Sequence, residues 1–285
     1  LARPDAENQR AWVLYGGTRG FREAEALTLP VRTARDVLVD DFDGNGRGDI
    51  AICQGRDQHR HTTESLLFLS DNDGLDTEPR RFVTHDALAV LSARTDGTSR
   101  QLVFVNRQQS STYGHIPVYV YLGDRDGYRP ERRVELPGHS PGSMIPADFN
   151  DDGYTDILLF NDGEDQPVLD PPSAIFWGGP RGLDPGRHSD VPSHLSWGGQ
   201  VGDVNRDGYL DLVFTSSNGS PKYRQNTVTV FFGGEHEYSL DHAQVLTLAP
   251  PEVALGALWP LLADLNGDGW LDLCVPCSNR NYSVI

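Results

Sequence analysis

Lysine is almost missing from this chain of 285 residues: Lys222 is the only one among 24 basic residues, set against 41 acidic ones and a formal charge of −17. A surplus of that sign argues against nucleic acid and anionic membrane surfaces as partners. Methionine occurs once, at Met144, and the first residue is Leu1, so a processed, trimmed or partial chain is expected. No apolar run approaches the length that a membrane-spanning helix needs, and membrane insertion is not expected. The three cysteines, Cys53, Cys274 and Cys277, cannot all pair within the chain. The Cys274-Val275-Pro276-Cys277 spacing stands without a second such pair or a His pair at zinc spacing. It reads as a structural thiol or local disulfide rather than a redox or zinc motif. Also missing are GxSxG, the P-loop, HExxH and a dinucleotide fingerprint after a strand. No stretch has a convincing helical period.

What the chain does have is a repeat. DFDGNGRGDIAI begins at Asp41, ADFNDDGYTDILLF at Ala147, DVNRDGYLDLVF at Asp203 and DLNGDGWLDLCV at Asp264, with a decayed copy, SARTDGTSRQLVF, at Ser92. Their shared glycines, Gly46, Gly97, Gly153, Gly208 and Gly269, are 51, 56, 55 and 61 residues apart. A second marker recurs at similar spacing: VLYGGTRGF, FLSDNDGL, YLGDRDGY, FWGGPRGL and FFGGEHEY, ending at Phe21, Leu75, Tyr128, Leu183 and Tyr238. A third, an apolar residue followed by proline, closes units at Pro30, Pro137, Pro192 and Pro250. Three markers in fixed order define a true internal repeat. Each unit reads as four short strands: one leading into the acidic loop, an apolar one leaving it, a third after a long polar loop, and a fourth after the Gly-rich turn. Units of this length and strand number predict an all-β fold, a β-propeller of four-stranded blades. Neighbouring blades would cover both faces of each sheet, which accounts for the poor alternation of the apolar strands.

The acidic loops follow D-x-[DN]-x-[DN]-G-x-x-D, with side-chain oxygens at positions 1, 3, 5 and 9. Position 7 is unrestricted, as expected of a residue that offers only its main-chain carbonyl. Oxygen-only ligands with several carboxylates suit a hard cation with a loose coordination sphere, namely Ca²⁺. Position 12 holds Ile52, Leu159, Phe214 or Val275 where an EF-hand needs a bidentate Glu, so this is another kind of site. Asp, Asn and Gly also suit metal-free turns, but four copies, each with three Asp and one Asn, favour about four structural calcium sites. Their ligand sets are Asp41, Asp43, Asn45, Arg47 and Asp49; Asp148, Asn150, Asp152, Tyr154 and Asp156; Asp203, Asn205, Asp207, Tyr209 and Asp211; and Asp264, Asn266, Asp268, Trp270 and Asp272. The decayed copy puts Ser92, Arg94, Asp96 and Arg100 at the ligand positions. It should bind no calcium, with an arginine supplying the positive charge instead.

Acidic loops followed by YGG, FWGG or FFGG turns resemble the FG-GAP (VCBS-type) repeats of integrin-α-like β-propellers, over nearly the whole chain. The resemblance implies a single β-propeller domain over 1–285, with metal as scaffold between the first two strands of a blade. Residues 11–34 would be part of a blade, 35–88, 89–137, 138–192 and 193–250 whole blades, and 251–285 part of another. Because that family most often has seven blades, a piece of a seven-bladed propeller is expected, with a closed five-bladed ring as the alternative. NYSVI at 281–285 looks like the start of a further third strand. An extracellular, cell-surface or periplasmic setting follows from the same resemblance.

Strand alternation puts the calcium loops and Gly-rich turns on one face and the long variable loops on the other, where binding residues concentrate. The candidates there are Arg56, His59, Arg60, Arg107, Tyr113, His139, His194, Trp197, Tyr223, Arg224, Arg280 and Tyr282, side chains suited to sugar stacking, carboxylate pairing or protein contact. The leading expectation is a non-catalytic binding module for a glycan or extracellular protein. One alternative is a polysaccharide lyase acting on uronic-acid glycans by β-elimination, for which His59, His61, Tyr113, His115, Arg60 and Arg107 are the only set that could supply base, acid and carboxylate neutralisation. The other is a purely structural segment of a large surface protein.

Overall fold

The second strand of each repeat is its most apolar stretch, and in the computed structural model it lies inside a four-stranded antiparallel sheet. The structure describes residues 9–23, 26–57, 59–110, 114–124, 127–163, 171–216, 227–236, 238–248 and 259–276. The first blade comprises Ala34–Asp40, Asp49–Gln54, Thr62–Phe68 and Arg80–His85, and the second Ala87–Ala93, Gln101–Asn106, Val118–Asp124 and Gly127–Leu136. The third comprises Pro141–Ala147, Asp156–Asn161, Ser173–Phe176 and His188–Val191, and the fourth Ser196–Gly202, Asp211–Ser216, Thr227–Phe231 and Ala243–Thr247. In every blade the strands are hydrogen-bonded in chain order. A two-stranded sheet precedes them, Arg10–Val13 with Leu27–Pro30, and another follows, Leu261–Ala263 with Asp272–Cys274. Helix among the described residues is confined to short 3₁₀ turns such as Leu240–His242. The expected strand at 281–285 and the residues Tyr113, Tyr223, Arg224, Cys277, Arg280 and Tyr282 lie outside the described residues.

The second strands of the four blades are buried at all six positions. Their side chains alternate between two different neighbours instead of between core and water. Ile50 and Ile52 pack with Leu29 and Val31 of the preceding strand pair, whereas Ala51 and Cys53 pack with Leu102 and Phe104 of the second blade. Val103 and Val105 then face Ile157 and Leu159, Leu158 and Phe160 face Leu212 and Phe214, and Val213 meets Val275. Each cluster is thus the joint between consecutive sheets, which is the physical reason for the continuous apolar runs. Aromatic pairs fix these joints, among them Phe82 with Tyr121 at 4.7 Å between ring centroids and Phe160 with Phe214 at 4.9 Å. Where a neighbour has no inner strands the same face is bare: Val37 and Val39 of the first blade are 59 % and 62 % exposed, beside Trp12 at 65 %.

A polar clamp at the end of strand two recurs in the first three blades, where the fourth has Ser216. Asn106 Oδ1 accepts the His85 N–H and its Nδ2 donates to the Pro117 carbonyl, at 2.8 Å each. Asn161 does the same with His139 N–H (2.9 Å) and Pro172 (2.7 Å). Gln54 accepts from Arg32 N–H (2.6 Å) and donates to the Glu64 carbonyl. One buried amide therefore satisfies a backbone donor of the preceding sheet and a backbone acceptor of its own long loop. Asp86 and Ser140, which follow the clamped histidines, have φ of 46° and 47°, and their N–H groups donate to His61 and Gly114 carbonyls at 2.7 Å. Cys53 is a buried free thiol donating to the Ala87 carbonyl at 3.8 Å, and burial pushes its pKa up to about 12. Cys274 is also free. Replacing Asn161 with Ala removes the side-chain partner of two backbone groups, on the half-buried His139 and the exposed Pro172. The expected loss is about 1–3 kcal/mol in denaturant-induced unfolding; a loss under about 0.5 kcal/mol would show that the clamp is ornamental.

Candidate metal loops and the opposite face

The same hydrogen-bond pattern recurs in the four acidic loops. The position-1 carboxylate points back into its own loop and accepts two successive N–H groups. Asp41 takes those of Asn45 (3.0 Å) and Gly46 (2.9 Å), and Asp148 those of Asp152 (3.0 Å) and Gly153 (2.8 Å). Asp203 takes those of Asp207 and Gly208, and Asp264 those of Asp268 and Gly269, at 2.8 to 3.1 Å. Position 5 accepts the N–H of position 7, as in Asp152 with Tyr154 at 3.0 Å. Glycine is needed at position 6, where φ is +84°, +84°, +93° and +89° in Gly46, Gly153, Gly208 and Gly269. Carboxylate atoms of Asp41, Asp43 and Asp49 come within 4.8 Å of one another, the one such trio among the described residues. In the other three loops position 3 is Asn, which contributes an amide oxygen and no charge.

Position 9 couples the loop to the rest of its blade. The fully buried Asp49, Asp156 and Asp211 accept the N–H of position 2 through one oxygen: Phe42 at 2.8 Å, Phe149 at 2.9 Å and Val204 at 2.8 Å. The other oxygen accepts an N–H from the turn between strands three and four: Ser70, Gly178 and Gly233, each at 2.7 or 2.8 Å. That contact explains the Gly-Gly marker, because a Cβ on Gly178 or Gly233 would stand 2.4 Å from the Thr155 or Leu210 carbonyl oxygen. Burial first, and the neighbouring loop carboxylates after it, push Asp156 up to about 6 against the lowering effect of its hydrogen bonds; Asp49 and Asp211 are raised for the same leading reason.

The loops also lean on each other, which sequence reasoning missed by treating position 7 as unrestricted. Tyr154 lies against Gly97 of the preceding blade, and the Arg206 guanidinium sits 4.2 Å from the Trp270 ring of the next loop. The aromatic ending the second marker plugs the underside of the preceding loop. Tyr128 packs edge-on against Phe42 and donates to the Phe42 and Arg100 carbonyls, and Tyr238 packs against Phe149 and donates to the Leu210 carbonyl.

The decayed loop differs from its expected register. Ala93 pairs with Gln101 where Asp40 pairs with Asp49, so the connection is one residue shorter. Gln101, not Arg100, takes the position-9 place, its Oε1 accepting the Thr95 N–H at 2.8 Å. A neutral amide replaces the buried carboxylate, and Arg94 stands where the first ligand would be. Arg100 turns away to pair with Asp40 of the first blade at 2.6 Å.

On the opposite face the structure brings some candidates together. The Arg107 guanidinium lies 4.9 Å from the Trp197 ring, which meets Trp259 edge-on at 5.9 Å. His115 meets His139 edge-on at 4.2 Å, and burial and then His115 hold the His139 pKa below its usual value. His194 is half-buried just before the fourth blade. His59 and Arg60 are exposed on a turn closed by Asp57, whose carboxylate accepts both of their N–H groups at 2.7 Å. His61 is half-buried. The Arg56 N–H donates to Asp86 at 2.7 Å, and the Arg35 guanidinium pairs with the same carboxylate oxygen at 2.7 Å. This buried Asp86 was not legible in the sequence, since it belongs to no marker.

The raised position-9 carboxylates fix the sign of a pH effect. Without a bound cation, the stability that protonated Asp156 contributes is fully present below its ordinary value and is lost as pH rises through about 6. In chelator the melting temperature should fall between about pH 4 and pH 7, and Asp156→Asn should flatten that slope. An unchanged slope in the variant would contradict this.

Residues 148–214 and 203–275 each match the sequence model of the FG-GAP-like repeat. A search of curated proteins finds no match. The two matched segments overlap and span the acidic loops of the third blade, the fourth blade and the strand pair after it, and the first blade repeats their loop geometry. The chain therefore carries FG-GAP-like repeats, arranged as the four-stranded antiparallel sheets of a β-propeller-like fold.

Proposed function

We propose that the chain is an extracellular, non-catalytic binding module in which about four calcium ions stiffen one face and a glycan or protein ligand occupies the other. The carrying observation is the acidic loop whose hydrogen-bond pattern recurs four times and whose first copy brings three carboxylates within 4.8 Å. It gathers up to three carboxylates at one point, a cluster that a hard cation would relieve. In each loop the side chains at positions 1, 3, 5 and 9 would hold the ion, with the carbonyl of Arg47, Tyr154, Tyr209 or Trp270. The cation supplies countercharge and a fixed point for the hairpin. The chain's own residues do the rest: position 9 passes the constraint to the turn between strands three and four, and the marker tyrosines pass it to the preceding blade.

Support for the ligand face is chemical. Long loops and blade junctions share one end, and they present the Arg107–Trp197–Trp259 stack and the His115–His139 pair. A guanidinium over an indole beside a second indole offers flat apolar surface with a fixed donor, suited to a sugar ring or an interface side chain.

Calcium titration by calorimetry should give about four sites, falling to three in Asp156→Asn. Filling each site at a hundredfold excess over its Kd adds about 2.7 kcal/mol, so chelation should lower the melting temperature by roughly 10 °C or more. No calcium uptake would remove the scaffold reading. Trp197→Ala should lose capture of array-identified ligands with an unchanged melting temperature; release of unsaturated uronides from an acidic polysaccharide would overturn the non-catalytic reading.

A further inference from the structure

A cleft of about 670 Å³ opens between the Arg10–Val13/Leu27–Pro30 strand pair and the outer strands of the first blade, with neither Arg107 nor Trp197 in its lining. Four arginines line it, Arg10, Arg32, Arg60 and Arg81, against two acids, Asp57 and Glu64. In a chain with a formal charge of −17, that is a local reversal of sign. We propose that this cleft binds a segment of an acidic polysaccharide, a sugar chain bearing carboxylate or sulfate groups. The proposal rests on the binding-module reading and names its ligand class.

Four arginines against two acids leave a net of two positive charges in the lining. Asp57 is turned onto its own loop, where the N–H groups of His59 and Arg60 hold its carboxyl below the usual range. Glu64 reaches Arg81 at 3.4 Å, with both side chains about half exposed, a geometry that water screens and that contributes little. Among the described residues, Arg10 and Arg32 have no ion pair. Guanidinium groups bind carboxylate and sulfate oxygens in paired, planar hydrogen bonds.

The remaining lining is mostly polar and suits a hydroxyl-bearing ligand. Thr33 and Thr63 spend their hydroxyl hydrogens on the Gly55 and Gln54 carbonyls. Each oxygen is left as an acceptor for a donor on the ligand, a place that a sugar hydroxyl can fill. The apolar surface in the cleft, from Pro30, Val31, Leu66 and Val83, is a minority. The volume falls in the range of small-ligand sites, room for a few sugar units.

The test is calorimetric titration of the whole chain, at constant excess calcium and low salt, with hexagalacturonate, a heparin-derived hexasaccharide, neutral maltohexaose and hexaglutamate. The expected result is saturable binding of one or both acidic sugars, which identifies the anionic group, with maltohexaose and hexaglutamate far weaker. The double variant Arg32→Gln/Arg60→Gln should weaken that binding about tenfold or more at an unchanged melting temperature, and added salt should weaken it further. Binding that survives the double variant but is lost in Trp197→Ala would overturn the proposal and leave the binding-module reading standing. Absence of acidic-sugar binding, or tighter binding of hexaglutamate, would also overturn it.

Discussion

The interaction on which the architecture turns is a buried carboxylate shared between two N–H groups. Asp49, Asp156 and Asp211 open the second strand of their blades. Each bonds backwards to the loop and sideways to the turn between strands three and four. Remove that side chain and both connections lose their acceptor; leave it without a cation nearby and burial opposes its ionisation. The second blade keeps the hairpin and avoids the conflict by placing the neutral Gln101 there. The contrast within one chain separates what the fold needs, an acceptor at that place, from what a metal needs, a charge.

A hierarchy follows from this. Loop carboxylates shape the hairpin, the hairpin positions the second strand, and that strand buries alternate side chains against two neighbouring sheets. The marker aromatics Tyr128 and Tyr238 connect each blade to the loop before it, so the metal-loop face behaves as a chain of linked units. At the other end Gln54, Asn106 and Asn161 reach across the first three junctions, and the buried Asp86 joins them through the Arg35 guanidinium and the Arg56 N–H. That end is therefore held by side-chain hydrogen bonds to backbone groups more than by clustered carboxylates.

Much of this was legible in the sequence because repetition turned weak local signals into a strong one. The acidic loop, the Gly-Gly turn and the apolar second strand each recur at fixed separation, and their spacing predicts the strand order seen. The position-7 side chains were not legible, because their partners belong to the neighbouring blade about 55 residues away. The register of the decayed loop was misjudged for a related reason: aligning on Gly97 hides a one-residue deletion that only the Ala93–Gln101 pairing reveals. Asp86 and the arginine cleft escaped notice because they are assembled from residues that are each ordinary in their own loops.

Long-wavelength anomalous diffraction from crystals grown with calcium tests the central claim most directly. Peaks are expected within the loops that begin at Asp41, Asp148, Asp203 and Asp264, with none between Arg94 and Arg100. Loops that hold the same inward-turned carboxylates without anomalous density, or a peak beside Gln101, would contradict the view that a cation balances the buried position-9 charge.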